Sequence, residues 1–255
     1  MTFNSEKLIR EVLDSITCRL PLDYNPCLYI VDNNSTDRTT HIAEEFARRY
    51  PNIKLILNSQ NFGFGKAHNQ VIEAVNSRYH VVCNPDILLS GDIFTPLVKF
   101  MECWHDIGIV CPKFLNIDGT IQSLNRNHPT VLDLFLRRFL PSSFRPFLKK
   151  RLAAYEMQDV GYEKSYDVPF VSGAFMFCRT DILKAVGGFD ERYFLYFEDA
   201  DLSRKLQIHG YRTVFWPHVT VTHAWERLAH KSLLGSLMFA QSAYQYFQKW
   251  GFKWW

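Results

Sequence analysis

The 255-residue chain carries almost no net charge. Lys and Arg total 29 and Asp and Glu 26, a formal charge of +3. Binding of nucleic acid through bulk charge is therefore not indicated. Glycine (12) and proline (11) are too sparse for a collagen-like or low-complexity chain. No apolar run approaches the ~20 residues of a membrane span. The first residues, Met1-Thr2-Phe3-Asn4-Ser5-Glu6-Lys7, lack the apolar core of a signal peptide. The expectation is a soluble or peripheral protein. No internal repeat and no linker-like stretch divides it, so one domain is expected. The cysteines are Cys18, Cys27, Cys83, Cys103, Cys111 and Cys178. They form no C-x-x-C pair and no cluster with zinc spacing, which leaves buried, reduced thiols as the expectation.

The remaining composition is that of a globular protein, 47% hydrophobic and 22% charged, with a surplus of aromatics at 15%. The first half alternates helix and strand signals. Leu8, Ile9, Val12, Leu13 and Ile16 recur at helical spacing after Ser5, a candidate N-cap. The apolar runs 27–31, 53–57 and 79–83 read as buried strands. Each is followed by a polar loop: Asp32–Asp37, Asn61–Gly65, and Asn84-Pro85-Asp86. Strand–loop–helix repeats predict an α/β fold with a mostly parallel sheet. Ligands of such sheets bind beyond the carboxyl ends of the strands, where these loops fall.

The second half is less regular. Residues 107–111 and 167–178 read as strands, and 180–186 and 199–209 as helices, the latter with Gly210 as its cap. Residues 229–249 read as a final amphipathic helix. The stretch 137–151 is rich in Arg and Lys and has no acid. It reads either as a solvated, turn-rich insertion or as a membrane-surface patch in which Phe139, Phe144 and Phe147 enter the headgroups.

Several residues could carry chemistry. Asp86, at a strand end beside Asn84 and Pro85, could hold a hard divalent metal with open positions, or simply cap a turn. Glu198, Asp199 and Asp201 crowd three carboxylates behind the aromatic run Tyr193–Phe197. Such crowding raises at least one pKa and suits a general base; acids at a helix start also favour the helix dipole. His223, after a strand-like run, is a metal ligand or a satisfied surface histidine. His230-Lys231-Ser232 offers groups for phosphate oxygens. Gly63-x-Gly65 lacks the third glycine of a dinucleotide loop, because His68 stands there.

Taken in order, Thr2-Phe3-Asn4, Asp32–Asp37, Asn61–Asn69, Asn84-Pro85-Asp86, Ser172-Gly173-Ala174, Gly188-Phe189-Asp190, Glu198–Asp201 and His223 resemble the family 2 inverting glycosyltransferases. The nearer resemblance is to the rhamnosyltransferase-like branch that builds O-antigen and other bacterial surface polysaccharides. The resemblance implies a GT-A fold, a single Rossmann-like domain over 1–228 with a C-terminal helical segment at 229–255. It implies a nucleotide-sugar site built from Thr2, Asn4, Asp32, Asn34, Asp37, Asn61, Gly65, His68 and Asn84. It implies Asp199 as catalytic base with Glu198 beside it, and a Mg or Mn cation held by Asp86 and His223. The implied reaction moves a sugar, L-rhamnose from dTDP-L-rhamnose in the first instance, to a lipid-linked saccharide. A UDP-hexose or UDP-galactofuranose donor is the alternative within that class. A non-catalytic scaffold in a polysaccharide assembly complex is the alternative outside it.

Relatives usually carry several apolar residues before the Thr-Phe-Asn equivalent, forming a first strand that Met1 cuts short here. Either the start is internal to a longer chain, or that strand is minimal and leaves neighbouring edges unpaired. The last residues combine Phe239, Tyr244, Tyr246, Phe247, Trp250, Phe252, Trp254 and Trp255 with Lys249 and Lys253. They read as an anchor to the inner face of the cytoplasmic membrane, or as a helix packed on the core or across a homodimer.

Overall fold

The computed structural model describes residues 1–139, 145–224 and 233–255. Helix α1 (Ile9–Thr17) buries Ile9, Val12, Leu13 and Ile16, the stripe expected from spacings of three and four. Ser5 is not its N-cap. The helix begins after Leu8, and Ser5 supplies its carbonyl to the Leu8 and Ile9 N–H groups. Its hydroxyl is turned away, donating to the Phe3 carbonyl at 3.3 Å.

Strand β1 (Leu28–Asp32), helix α2 (Thr39–Arg49) and strand β2 (Ile53–Leu57) form one parallel unit. The register runs from Leu28 opposite Ile53 to Asp32 opposite Leu57. Ile42, Ala43 and Phe46 of α2 pack on Ile30 and Ile53. Helix α3 (Phe64–Ala74) and strand β3 (Tyr79–Cys83) follow, the strand with the bounds its apolar run predicted.

The fold is mixed α/β, as expected, but its sheet is not mostly parallel. β1 and β2 stand as a two-stranded sheet of their own. The six-stranded central sheet contains β3, β4 (Ile87–Leu88), β5 (Ile107–Leu115), β6 (Tyr166–Asp167), β7 (Phe175–Arg179) and β8 (Arg212–His223). Its order is β3-β7-β5-β8-β4, with β6 paired to β8. β7 enters between β3 and β5 and runs antiparallel to both. β4 and β6 run antiparallel to β8, and only β5 and β8 are parallel. An apolar run reports that a strand is buried on both faces but not which way its neighbours run. All residues of β7 are buried, and they centre the core with Val110, Val214 and Phe215.

Between the two sheets lies the start of the chain. Thr2 makes a parallel bridge to Asp32, with its N–H on the Val31 carbonyl and its own carbonyl on the Asn33 N–H. The Met1 amine is buried close to Asp32 and Cys83, and burial lowers its pKa. Of the strand edges expected to lie unpaired beside a minimal first strand, that of β1 meets the chain start at this bridge.

Helix α4 (Phe94–Cys103) precedes β5. Helices α5 (Val131–Phe139) and α6 (Arg145–Tyr155) occupy most of the basic stretch, which is therefore helical at both ends rather than turn-rich. Residues 140–144 and the side chains of Phe139, Phe144 and Phe147 lie outside the described residues, as does His230-Lys231-Ser232. Helix α7 (Thr180–Ala185) ends at Gly187 and Gly188, both with positive φ. Helix α8 (Glu198–Ile208) ends at Gly210 (φ 84°), where the Tyr211 N–H reaches back to the Leu206 carbonyl. The cysteines are free, but Cys18, Cys27 and Cys103 are exposed, which corrects the expectation of buried thiols. They sit outside the apolar strands that bury Cys111 and Cys178. No helix among the described residues is long and apolar enough to cross a membrane.

The final helix, α9 (Leu233–Trp250), packs on α8. The expected domain boundary at 228–229 falls outside the described residues. Helix α9 is tied to the core through fully buried Asp201. Lys249 Nζ lies 2.7 Å from Asp201 Oδ1 and the Trp250 indole N–H donates to the same oxygen at 2.7 Å. Lys249 also reaches Asp190 at 2.8 Å. Asp201→Ala is expected to cost ~3–5 kcal/mol, because it leaves Lys249 with half its partners in a mostly buried site. Urea unfolding followed by tryptophan fluorescence measures this; a cost below ~1 kcal/mol would remove Asp201 as the anchor of α9.

Candidate active site

The polar loop after β1 is built from the inside outward. Asp32 is buried, and its carboxylate accepts from Thr2 Oγ1 (3.0 Å), the Ser35 N–H (2.9 Å), Ser35 Oγ (2.6 Å) and Thr40 Oγ1 (3.3 Å). Its acceptor capacity is spent within the protein. Asp37 accepts from the Thr39 and Glu6 N–H groups, tying the start of α2 to the chain before α1. These hydrogen bonds hold its carboxyl below the ordinary range although burial opposes them. Asn4 (φ 49°) and Asn34 (φ 65°) are exposed on the outer rim. Asn4 Oδ1 accepts from the Thr36 N–H at 2.8 Å.

Asn33 is not singled out by the sequence, yet it joins two loops. It is fully buried, and its amide donates to Asn61 Oδ1 (3.1 Å) and the Gly63 carbonyl (2.9 Å) while accepting from Asn58 Nδ2 (2.8 Å). Asn61 Oδ1 also accepts from the Gly63 N–H. Gly63 has φ 84°, and the Phe64 N–H after it donates to the Phe194 carbonyl at 2.9 Å. A Cβ on Gly63 would run into that same carbonyl. Gly65 has equally little room, since a Cβ there would lie 2.8 Å from Phe189 Cβ. His68 is buried against Phe64 and Phe189, with ring centroids at 4.6 and 5.9 Å. Burial keeps its pKa well below the ordinary value, so it is neutral at physiological pH.

The loop after β3 meets β8. Pairing of Ile87 with His223 brings Asp86 beside the His223 ring, with Asp86 Oδ2 3.3 Å from His223 Nε2. The Asp86 carbonyl accepts from the Ala224 N–H. On the far side of the ring, Nδ1 faces Gln122 Oε1 at 2.6 Å. Gln122 Nε2 donates to Asn116, which fixes the amide so that its oxygen accepts from Nδ1–H. Nε2 then faces Asp86. Asp86 Oδ1 is buried with no hydrogen-bond partner. An imidazole oriented by a neighbour, beside a carboxylate with an unspent oxygen, fits a hard divalent cation completed by ligand oxygens. No group of three or more His, Cys, Asp or Glu side chains is assembled among the described residues.

Glu198 and Asp199 open α8. The turn before them holds Tyr196 (φ 71°) and Phe197 (φ 68°) in left-handed conformations, rare for bulky residues. Packing of Tyr196 and Phe197 on Phe239, and of Phe197 on Tyr246, keeps them there. Asp199 Oδ2 accepts from the Gly173 N–H at 2.9 Å. Burial raises the Asp199 pKa, offset in part by the Gly173 and Ala200 N–H groups and by the Arg126 cation. Burial, and then the Asp199 charge, push the Glu198 pKa well above the carboxylate range, and Glu198 Oε2 has no partner. The Asn84 N–H donates to the Ala174 carbonyl at 3.0 Å. The 172–174 backbone therefore touches both the Asn84–Asp86 loop and Asp199. Sequence reading placed these loops at one end of the sheet but missed Asn33, Gln122 and Arg126. Asn33 stands inside a loop already noted, whereas Gln122 and Arg126 lie in a stretch with no periodic signal.

The structure is a mixed α/β fold with its polar loops gathered beside the central sheet. The chain belongs to the family described as Glycosyltransferase like family 2, which it matches over residues 1–242. It is 28% identical over 207 residues to the N-acetylglucosaminyl-diphospho-decaprenol L-rhamnosyltransferase of Mycobacterium tuberculosis, covering 76% of this chain and 65% of that protein. It is 26% identical over 170 residues to the rhamnosyltransferase WbbL of Escherichia coli, covering 64% of this chain and 61% of that protein. The chain thus spans less than two thirds of either relative. Its fold matches the mannosyltransferase PcManGT of Pyrobaculum calidifontis, solved with GDP-Man and Mn2+, at a TM-score of 0.65 and 21% identity. That match covers 97% of this chain and 61% of the other.

Gly63→Ala is expected to destabilise the protein by at least ~1–3 kcal/mol, the scale of a left-handed non-glycine residue. The contact with the Phe194 backbone adds to that cost. Thermal unfolding reads the change; an unaltered Tm would show that the two loops do not depend on this approach.

Proposed function

We propose that the protein is an inverting glycosyltransferase that moves a sugar from a nucleotide donor to an acceptor hydroxyl. The observation that carries this reading is Asp199: a half-buried carboxylate at a helix start, fixed by Gly173, beside a segment that also touches Asn84. Asp199 accepts the proton of the acceptor hydroxyl. The acceptor oxygen bonds to the anomeric carbon from one face. The bond from that carbon to the diphosphate breaks on the other, and the nucleoside diphosphate leaves with the electron pair. One displacement inverts the anomeric centre. Glu198, whose pKa is raised by burial and then by the Asp199 charge, stands beside the base. Asp86 and His223 would hold a Mg or Mn cation, which supplies charge neutralisation at the departing diphosphate. Support for a divalent cation comes from the unspent Asp86 oxygen and from the Mn2+ of the mannosyltransferase complex.

The nucleotide lies against the loops after β1, β2 and β3. Asn4 and Asn34 line its outer rim, and Asn61 and Asn84 its floor. Thr2, Asp32 and Asp37 shape the loop through their hydrogen bonds, and Gly65 and His68 pack behind it. The donor is dTDP-L-rhamnose, and the acceptor a lipid-linked saccharide at the inner face of the cytoplasmic membrane. The names of the two rhamnosyltransferases support the sugar, and the decaprenol-linked substrate named for the mycobacterial relative supports the acceptor. The exposed rings of Tyr244, Phe252, Trp254 and Trp255 support a peripheral membrane position.

Asp199→Asn is expected to fold, bind donor and lose transfer by ~10²–10⁴-fold. Transfer at or near the native rate would remove Asp199 from the base role. Chelation with EDTA is expected to abolish turnover of dTDP-L-rhamnose, with Mn restoring it. If no nucleotide sugar in a panel that includes UDP-hexoses is turned over in a metal-dependent way, the chain is a scaffold instead.

A further inference from the structure

Arg126 has no part in the reaction set out for Asp199, yet its place is unusual. It is buried, with 9% of its surface exposed, and its Nε has no partner. Its Nη1 donates to the Leu124 carbonyl at 3.5 Å, and the guanidinium stands 5.9 Å above the Phe170 ring. A buried guanidinium normally satisfies its donors. Here the backbone explains where it stands. Arg126 and Phe170 form an antiparallel bridge, with the Phe170 N–H on the Arg126 carbonyl at 3.0 Å. The next residues of that segment are stitched to the first turn of α8. The Val171 N–H donates to Ser203 Oγ, which in turn donates to the Asp199 carbonyl, and the Gly173 N–H donates to the Asp199 carboxylate. One short segment thus carries Arg126 on one edge and Asp199 on the other.

We propose that Arg126 is a positioning residue that holds Asp199 in the carboxylate form a base requires. This rests on the reading of Asp199 as the base. The titratable and charged groups around Asp199 are Glu198 next to it on α8 and Arg126 across the 170–173 segment. On the α3 side, Gly173 separates it from the Phe64 ring, and His68 behind that ring is neutral. Asp201, further along α8, is neutralised by Lys249. Burial favours the protonated acid; the Gly173 and Ala200 N–H groups and the Arg126 cation oppose it through a low-dielectric interior. Removing the cation therefore raises the pKa of the base and leaves less carboxylate at a given pH.

The test is the pH profile of kcat/KM for transfer in wild-type protein, Arg126→Gln, Arg126→Lys and Asp199→Asn, with near-UV circular dichroism as the check of folding. The acid limb of Arg126→Gln is expected to move up by about one pH unit, with activity about tenfold lower below the limb and recovering at alkaline pH. Arg126→Lys, which keeps the charge, is expected to stay within about half a unit of wild type. An unmoved limb in Arg126→Gln, or a loss uniform across pH, overturns the proposal. Should Arg126→Gln not fold, Arg126→Lys decides: a wild-type limb supports the charge role, and a displaced limb overturns it. An active Asp199→Asn sinks the base reading itself, whereas an inactive Asp199→Asn with an unmoved Arg126→Gln limb sinks only the role given to Arg126.

Discussion

One backbone hydrogen bond links the two halves of the site. The Phe64 N–H donates to the Phe194 carbonyl where α3 begins, and the absence of a side chain at Gly63 lets the two stretches of chain come that close. On one side of this contact, Asn33 ties the loops after β1 and β2 together. On the other, the 193–197 run turns into α8 and delivers Glu198 and Asp199. Asn69 makes a second tie between the same parts, exchanging bonds with the Phe189 N–H and carbonyl at 2.9 Å each. The loops after β1 and β2 and the pair Glu198–Asp199 are thereby placed by direct contact and not by long chains of packing.

Electrostatics then sorts the carboxylates of this region. Asp32 and Asp201 are both buried, but each is surrounded by donors or a cation and serves to hold loops and helices. Glu198 is buried and Asp199 half-buried, and both have fewer donors, so removal from water shifts both upward. Asp86 keeps one oxygen without a partner. Carboxylates alike in sequence thus divide into structural and chemically available groups by how many hydrogen bonds their surroundings give them.

The first three strands and the helices between them were legible because apolar runs of about five residues ended at polar loops. The loop ends at Asp32–Asp37 and Asn84–Asp86 could be placed from that alone. Strand direction could not, because β7 comes from the far half of the chain and nothing in residues 175–179 encodes which neighbours it will separate. The crowding at Glu198–Asp201 was visible as a local pattern. Asn33, Gln122 and Arg126 were not, since each acts across a contact that only the folded chain creates. Ser5 shows the opposite error: a residue type suited to capping was present, but its hydroxyl found the Phe3 carbonyl instead.

The left-handed pair Tyr196–Phe197 depends on rings supplied by α9, while α9 depends on Asp201 of α8. Neither part can be exchanged alone. A chimera that took the C-terminal helix from a relative would have to bring the 193–201 segment with it. In the history of the chain, substitutions in these two segments are therefore expected to be accepted as matched sets, inherited together although the sequence sets them some forty residues apart.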